Sequence, residues 1–238
     1  MRAQLRSTLK SAAMKVGLVR PRAKRRVCFI ITNRIHYARQ ETLLRQLKGD
    51  PDIDLQLIVG GAALLEKYSE VPAALARRGF VVHEEMLNLI EGGNHAAMAK
   101  TAGLAVLELA NTFSKLKPDI VLLHGDRFEV LAAAMTAAYL NIPVAHIEGG
   151  DVTGTIDESV RHAITKLAHI HLVTNDEAHR RVLQMGENPA FVFNVGSPGL
   201  EFASTVRRKP DQEMMERIGV GGRVDLKKPY VLVIQHPV

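Results

Sequence analysis

Residues 120–147 read IVLLHGDRFEVLAAAMTAAYLNIPVAHI, and this stretch decides the fold. An apolar run over 120–123 passes through a polar GDRFE turn into a helical segment over 127–140. A second apolar run follows over 144–147. Neither run alternates apolar with polar, so both are predicted to be strands covered on two faces, as in a parallel sheet. Strand, helix and strand in that order is the repeating unit of a doubly wound α/β fold.

The same alternation extends in both directions. Further strands are predicted at 27–31, 55–59, 80–82, 170–174 and 191–195, with helices over 96–116 and 156–167. Near the end, 211–220 reads as a helix, 221–229 as a connection and 230–234 as a fresh buried strand. That last strand resembles the opening of a second α/β domain. The predicted organisation is a basic extension over 1–26, a Rossmann-like domain over 27–205, and a linker with the first strand of a second domain over 206–238.

The net charge of +6 is unevenly placed. Residues 1–26 hold nine Lys or Arg and no acid, leaving 22 basic against 25 acidic residues in the remainder. The body is therefore mildly acidic, which argues against nucleic acid as a partner. The basic segment has no apolar core of the kind a secretory signal needs; it reads as a solvated extension, the alternative being an amphipathic surface-binding or organelle-targeting segment. No window approaches eighteen uninterrupted apolar residues, so no membrane span is predicted. The single cysteine, Cys28, lies inside the run VCFII and reads as a buried, inert thiol. A chain with no internal disulfide suits the reducing cytoplasm.

In open parallel sheets, ligands bind beyond the carboxyl ends of the strands. Here those ends carry TNRIHYAR, GDRFE, EGGDVTGTIDESVRH and QHPV. Arg34 closes the first strand and His236 the last one. Asp126 and Arg127 stand between a strand and a helix start, where free N–H groups and a guanidinium suit a phosphate. The competing reading makes Asp126 a helix cap and Arg127 a partner of a surface acid. Gly149 and Gly150 would let backbone approach a ligand closely. Thr155 with Glu158 resembles a capping box. The acids Glu148, Asp151, Asp157 and Glu158 are too many for one cap, and carboxylates held in a cleft can serve as acid or base. His146, His162, His169 and His171 match no ligand spacing, so they read as structural histidines and no metal is expected.

The segment from LKPDIVLLHGDRF through HIEGG to DESVRHAITKLAH closely resembles the hydrolysing UDP-N-acetylglucosamine 2-epimerases, in the branch that makes N-acetylmannosamine for sialic acid synthesis. TNRIHYAR resembles that family's first-strand motif and VLVIQHPV the start of its second domain. The likeness implies a two-domain, glycosyltransferase-B-like architecture with the site between two Rossmann-like halves. It implies conversion of the nucleotide sugar UDP-GlcNAc to UDP and ManNAc, with no metal or redox cofactor, in a protein that is a homo-oligomer when full length. By motif, Asp126, Glu148, Asp157 and His236 match catalytic positions, while Arg34, Arg127, Gly149 and Arg161 match substrate-binding ones. One departure stands out. The usual N-R-A-D-Y-S is here Asn33-Arg34-Ile35-His36-Tyr37-Ala38, which points toward a related nucleotide-diphosphate sugar. A glycosyltransferase of the same architecture, or a non-catalytic nucleotide-sugar-binding domain, would share these features.

Overall fold

The computed structural model describes residues 24–67, 70–205 and 211–235. Among them the elements run β1 (Arg25–Ile31), α1 (Arg34–Gly49), β2 (Ile53–Gly60), α2 (Val71–Arg77), β3 (Val82–Met86), α3 (His95–Leu116), β4 (Ile120–His124) and α4 (Phe128–Tyr139). They continue as β5 (Val144–Ile147), α5 (Ile156–Leu167), β6 (Ile170–Val173), α6 (Asp176–Gln184), β7 (Val192–Asn194), α7 (Pro198–Thr205) and α8 (Gln212–Ile218). The strands form one sheet in the order β3-β2-β1-β4-β5-β6-β7, every pairing parallel. From β1 the chain winds outward to β3, then returns to β4 and winds the other way. The reversal leaves a crevice between the carboxyl ends of β1 and β4, where ligands bind in sheets of this kind.

Two apolar layers hold the sheet. Phe29, Ile31, Leu57, Val59, Leu122 and Ile147 face one side, where Leu43, Leu44 and Leu47 of α1 cover them. Cys28, Ile30, Ile58, Val121, Leu123 and Val144 face the other, under Leu109 and Phe113 of α3, Val130 of α4 and Ile164 of α5. Neighbouring residues thus point to opposite covered faces, which is why the strand sequences do not alternate. Each large side chain so buried contributes about 1.5–3 kcal/mol. Asn33, Asn94 and Asn175 cap α1, α3 and α6 by accepting backbone N–H groups from three residues on, each worth about 1 kcal/mol.

Several sequence expectations are corrected. The third strand begins at Val82 and runs through His83, Glu84 and Glu85 instead of ending at Val82. It is an edge strand, so charged residues are tolerated and no apolar run marks it. Phe80 is buried in the preceding turn, its N–H donating to Leu75. Phe191 belongs to a short 3-10 turn before β7. Arg34 opens α1 rather than closing β1. Tyr230–Ile234 forms no strand, and each of its residues is more than half exposed; a strand needs a hydrogen-bonded neighbour, and among the described residues it has none. The described residues fall into two compact units, up to Phe202 and from Ala203 onward. Among the described residues no helix is long and apolar enough to cross a membrane.

Candidate active site at the carboxyl ends of β1, β4 and β5

The β4–α4 turn begins with Gly125 at φ 80°, a conformation that favours glycine. It turns the chain so that Asp126 follows β4 directly. Asp126 does not cap α4, because Arg127 occupies the cap position and makes no side-chain cap bond. The Asp126 carboxylate instead forms an ion pair with Arg161 of α5. That guanidinium is buried, and its Nη1 also donates to the Asp151 carbonyl at 2.7 Å. Residues 35 positions apart are thereby locked together, and the Asp126 side chain, 25% exposed, borders solvent.

Glu148 follows β5, the neighbouring strand. Its φ of 64° is left-handed, a costly state for a residue with a Cβ. That geometry sets its Oε2 2.9 Å from Nε2 of His124 and 3.5 Å from Nη1 of Arg39. Burial works against the Glu148 charge, but the close His124 contact and the charges of His124, Arg39 and Arg161 prevail, and its pKa lies below the usual value. Strain kept in place by several partners in this way is characteristic of functional sites.

Gly149 has no room for a side chain, since a Cβ there would lie 2.9 Å from Thr165 Oγ1 and 3.0 Å from His146 Nδ1. The glycine therefore serves packing against α5. His146 is fully buried. Its Nε2 lies 2.8 Å from the Gly125 carbonyl and its Nδ1 3.1 Å from Thr165 Oγ1. Burial pushes its pKa down to about 3, so it is a neutral strut tying β5 to the β4 turn. His171 is likewise buried, 3.1 Å from Glu187.

Arg127 is exposed in part, with its Nε 3.7 Å from Glu129 and its guanidinium 4.9 Å from the Phe128 ring. Glu129 is buried, and burial raises its pKa, with Asp157 adding to the rise. Asp157 stands in the first turn of α5. The expected capping box is not formed: Thr155 makes no side-chain cap bond, and Glu158 accepts from the N–H groups of Thr153 and Gly154, 2.8 Å each, rather than from Thr155. Arg34 is exposed at the start of α1. His236 lies outside the described residues. Asp126 and Arg161 are thus in contact, Glu148 lies within reach of the Arg161 charge, and Asp157 within reach of Glu129. Arg39, His124 and Glu129 were not singled out from sequence, and His36 stood out only as a departure in the first-strand motif. The one local signal was His124 itself, a polar residue closing an apolar strand on the ligand edge.

A doubly wound sheet with carboxylates beyond the ends of its strands has the form of a ligand-binding α/β domain, and comparison with known proteins gives its family. The family model for UDP-N-acetylglucosamine 2-epimerase matches residues 45–238. The chain belongs to this family. It is 36% identical over 214 residues to the UDP-N,N'-diacetylbacillosamine 2-epimerase (hydrolyzing) of Legionella pneumophila, a match covering 90% of this chain and 56% of the relative. It is 33% identical over 196 residues to the UDP-N-acetylglucosamine 2-epimerase of Neisseria meningitidis, covering 82% and 51% respectively. The chain spans about half the length of these curated relatives. A crystal structure of the Neisseria meningitidis UDP-GlcNAc 2-epimerase bound to UDP-GlcNAc shares the fold, with a TM-score of 0.66 at 18% identity over 75% of this chain and 48% of that one. The architecture is the Rossmann-like half of the glycosyltransferase-B-like arrangement.

Proposed function

We propose that the protein to which this chain belongs is a hydrolysing 2-epimerase that converts UDP-N-acetylglucosamine to N-acetylmannosamine and UDP. One observation carries the reading. Two carboxylates, Asp126 and Glu148, follow adjacent strands and are each held by a dedicated partner, Arg161 and His124. Adjacent strands lie about 4.8 Å apart, so both groups border one crevice. In the first step a base removes the proton from sugar C2. The C1–O bond breaks as UDP departs with its electron pair, leaving a 1,2-glycal. Water then adds, its hydroxyl to C1 and a proton to C2 from the opposite face. Asp126, Glu148 and Asp157 supply the proton-handling carboxylates, with His236 near the departing UDP. Arg34 and Arg127, both with exposed heads, supply positive charge for the diphosphate, and Arg161 fixes Asp126.

The relatives are about twice as long as this chain, which supports reading residues 27–205 as the N-terminal half of the enzyme and 206–238 as the passage to the second half. The reaction calls for no metal or redox cofactor. The sialic acid branch, a cytoplasmic site of action and a homo-oligomeric full-length protein complete the proposal. A second substrate, UDP-N,N'-diacetylbacillosamine, is favoured by the Legionella relative and by Ile35-His36 in the first-strand motif. Incubating the full-length protein with each sugar nucleotide in deuterated water tests both. UDP release with deuterium at C2 of a free sugar is the expected result. Release without deuterium at C2 would refute proton abstraction, and a glycoside product would mark a transferase.

A further inference from the structure

His36 has no part in the chemistry above, yet it connects the ends of β1 and β4 at the switch point. It stands in the first turn of α1 and is buried. Its Nδ1 lies 3.2 Å from Thr32 Oγ1 and 3.4 Å from the Thr32 N–H, and its Nε2 lies 3.3 Å from Asn33 Nδ2. Asn33 Oδ1 already accepts the His36 N–H at 2.9 Å, so the Asn33 amide nitrogen is the donor that faces Nε2. The Thr32 N–H donates to Nδ1, so each ring nitrogen faces an N–H donor and an imidazolium here would set its protons against both. Burial, with the charges of His124, Arg127 and Arg39, holds the His36 pKa well below the usual value.

The other side of the ring meets His124 edge-on, with centroids 5.3 Å apart and planes at 69°. His124 is buried at the end of β4; its Nε2 lies 2.9 Å from Glu148 Oε2 without an aligned hydrogen bond, and its Nδ1 faces no partner among the described residues. A working histidine is ordinarily oriented by a hydrogen bond to its second nitrogen. Here that bond is missing, and the imidazole instead packs edge-to-face with the His36 ring. We propose that His36 is a positioning residue: packed edge-on at 5.3 Å, it fixes the His124 imidazole toward Glu148 and so sets the proton affinity of that carboxylate. The groups facing Glu148 are His124, Arg39 and Arg161. His124 packs on the His36 ring, whereas Arg39 reaches His36 through its charge alone, so the packed route from His36 to Glu148 runs through His124.

The inference rests on the reading that Glu148 moves protons, and its test separates the two. UDP release by the full-length protein is followed from about pH 5 to about pH 9 for wild type, His36→Ala and His36→Phe. The Glu148 side-chain carbon, assigned with Glu148→Gln, is titrated by NMR in the same proteins. The alanine variant should lose roughly tenfold or more in kcat with KM changed less than about twofold. Its acid limb and its Glu148 midpoint should both rise by about half a pH unit, because a loosened His124 no longer favours the carboxylate. The phenylalanine variant keeps a ring edge and should restore kcat to within about threefold. His36→Leu replaces the alanine variant should that one fail to fold. A purely structural role would lower Tm and move neither limb nor midpoint. An unchanged Glu148 midpoint in the alanine variant, or a phenylalanine variant as slow as alanine, overturns the proposal. If wild type releases no UDP, the functional reading fails, while the Glu148 titration still decides the role of His36.

Discussion

Asp126→Asn exchanges one carboxylate oxygen for an amide nitrogen and alters little else, so it isolates the ion pair with Arg161. The Arg161 side chain is 6% exposed and Asp126 25% exposed. Stripping a fully dry guanidinium of its counter-ion costs about 3–5 kcal/mol. The cost here is smaller, because Asp126 borders solvent and the Asp151 carbonyl keeps one guanidinium N–H satisfied. A charge-assisted hydrogen bond of about 1.5–3 kcal/mol is the better measure, and the expected loss is about 2 kcal/mol. At about 2–4 °C per kcal/mol for a domain of this size, the variant should melt about 4–8 °C below wild type. Arg161→Met removes the other partner. The double variant should lose less than the two single losses combined, with a coupling of about 1–2 kcal/mol. Thermal unfolding of the three variants by circular dichroism measures all of this. Additive losses, or an Asp126→Asn protein that melts with wild type, would refute the pairing on which the site geometry rests.

In the full-length enzyme, Glu148→Gln should lower kcat by about 10²–10⁴ if the carboxylate moves protons, whereas a loss confined to KM would mark it as a binding group. The same substitution should affect stability in a pH-dependent way. Because the folded-state pKa lies below the usual value, the stabilisation is present above the ordinary glutamate pKa of about 4.3. It fades as pH falls through the lower folded value, so denaturant titrations of variant and wild type should diverge near neutrality and converge in acid. Gly150→Ala would bring a Cβ to 2.6 Å from the Ala178 carbonyl at a φ of 88°, and chemical denaturation should show a loss of about 2–4 kcal/mol. The 238-residue chain alone should bind UDP-GlcNAc weakly and not hydrolyse it, since charge-assisted contacts from Arg34 and Arg127 lose strength in an open, wet crevice. Calorimetry showing micromolar affinity, with steady UDP release, would contradict that expectation.

The central strands were legible because a strand covered on both faces must be apolar at every position, and that requirement is written locally. The prediction of 144–147 coincides with β5, and that of 156–167 with α5. The edge strand β3 was misjudged for the converse reason: with one side open to water, VHEEM needs no apolar run. The tendency of Asp126, Arg127 and Glu148 to gather at one edge was also readable, since every parallel strand in such a sheet ends on the same side.

Partnership was not readable. Nothing near Asp126 in the chain announces Arg161, 35 residues on, and a helix-cap role was equally open until the pair was seen. Nor does strand order in sequence place β1 beside β4, which brings His36 against His124. The left-handed φ at Glu148, which aims its carboxylate at His124, belongs to a residue type that rarely adopts it. Local sequence determines which segments become strands and helices, because backbone preference and burial periodicity act over a few residues. Which side chains meet across the strand ends depends on long-range packing, and only the folded sheet, by setting β1, β4 and β5 side by side, decided which partner each carboxylate meets.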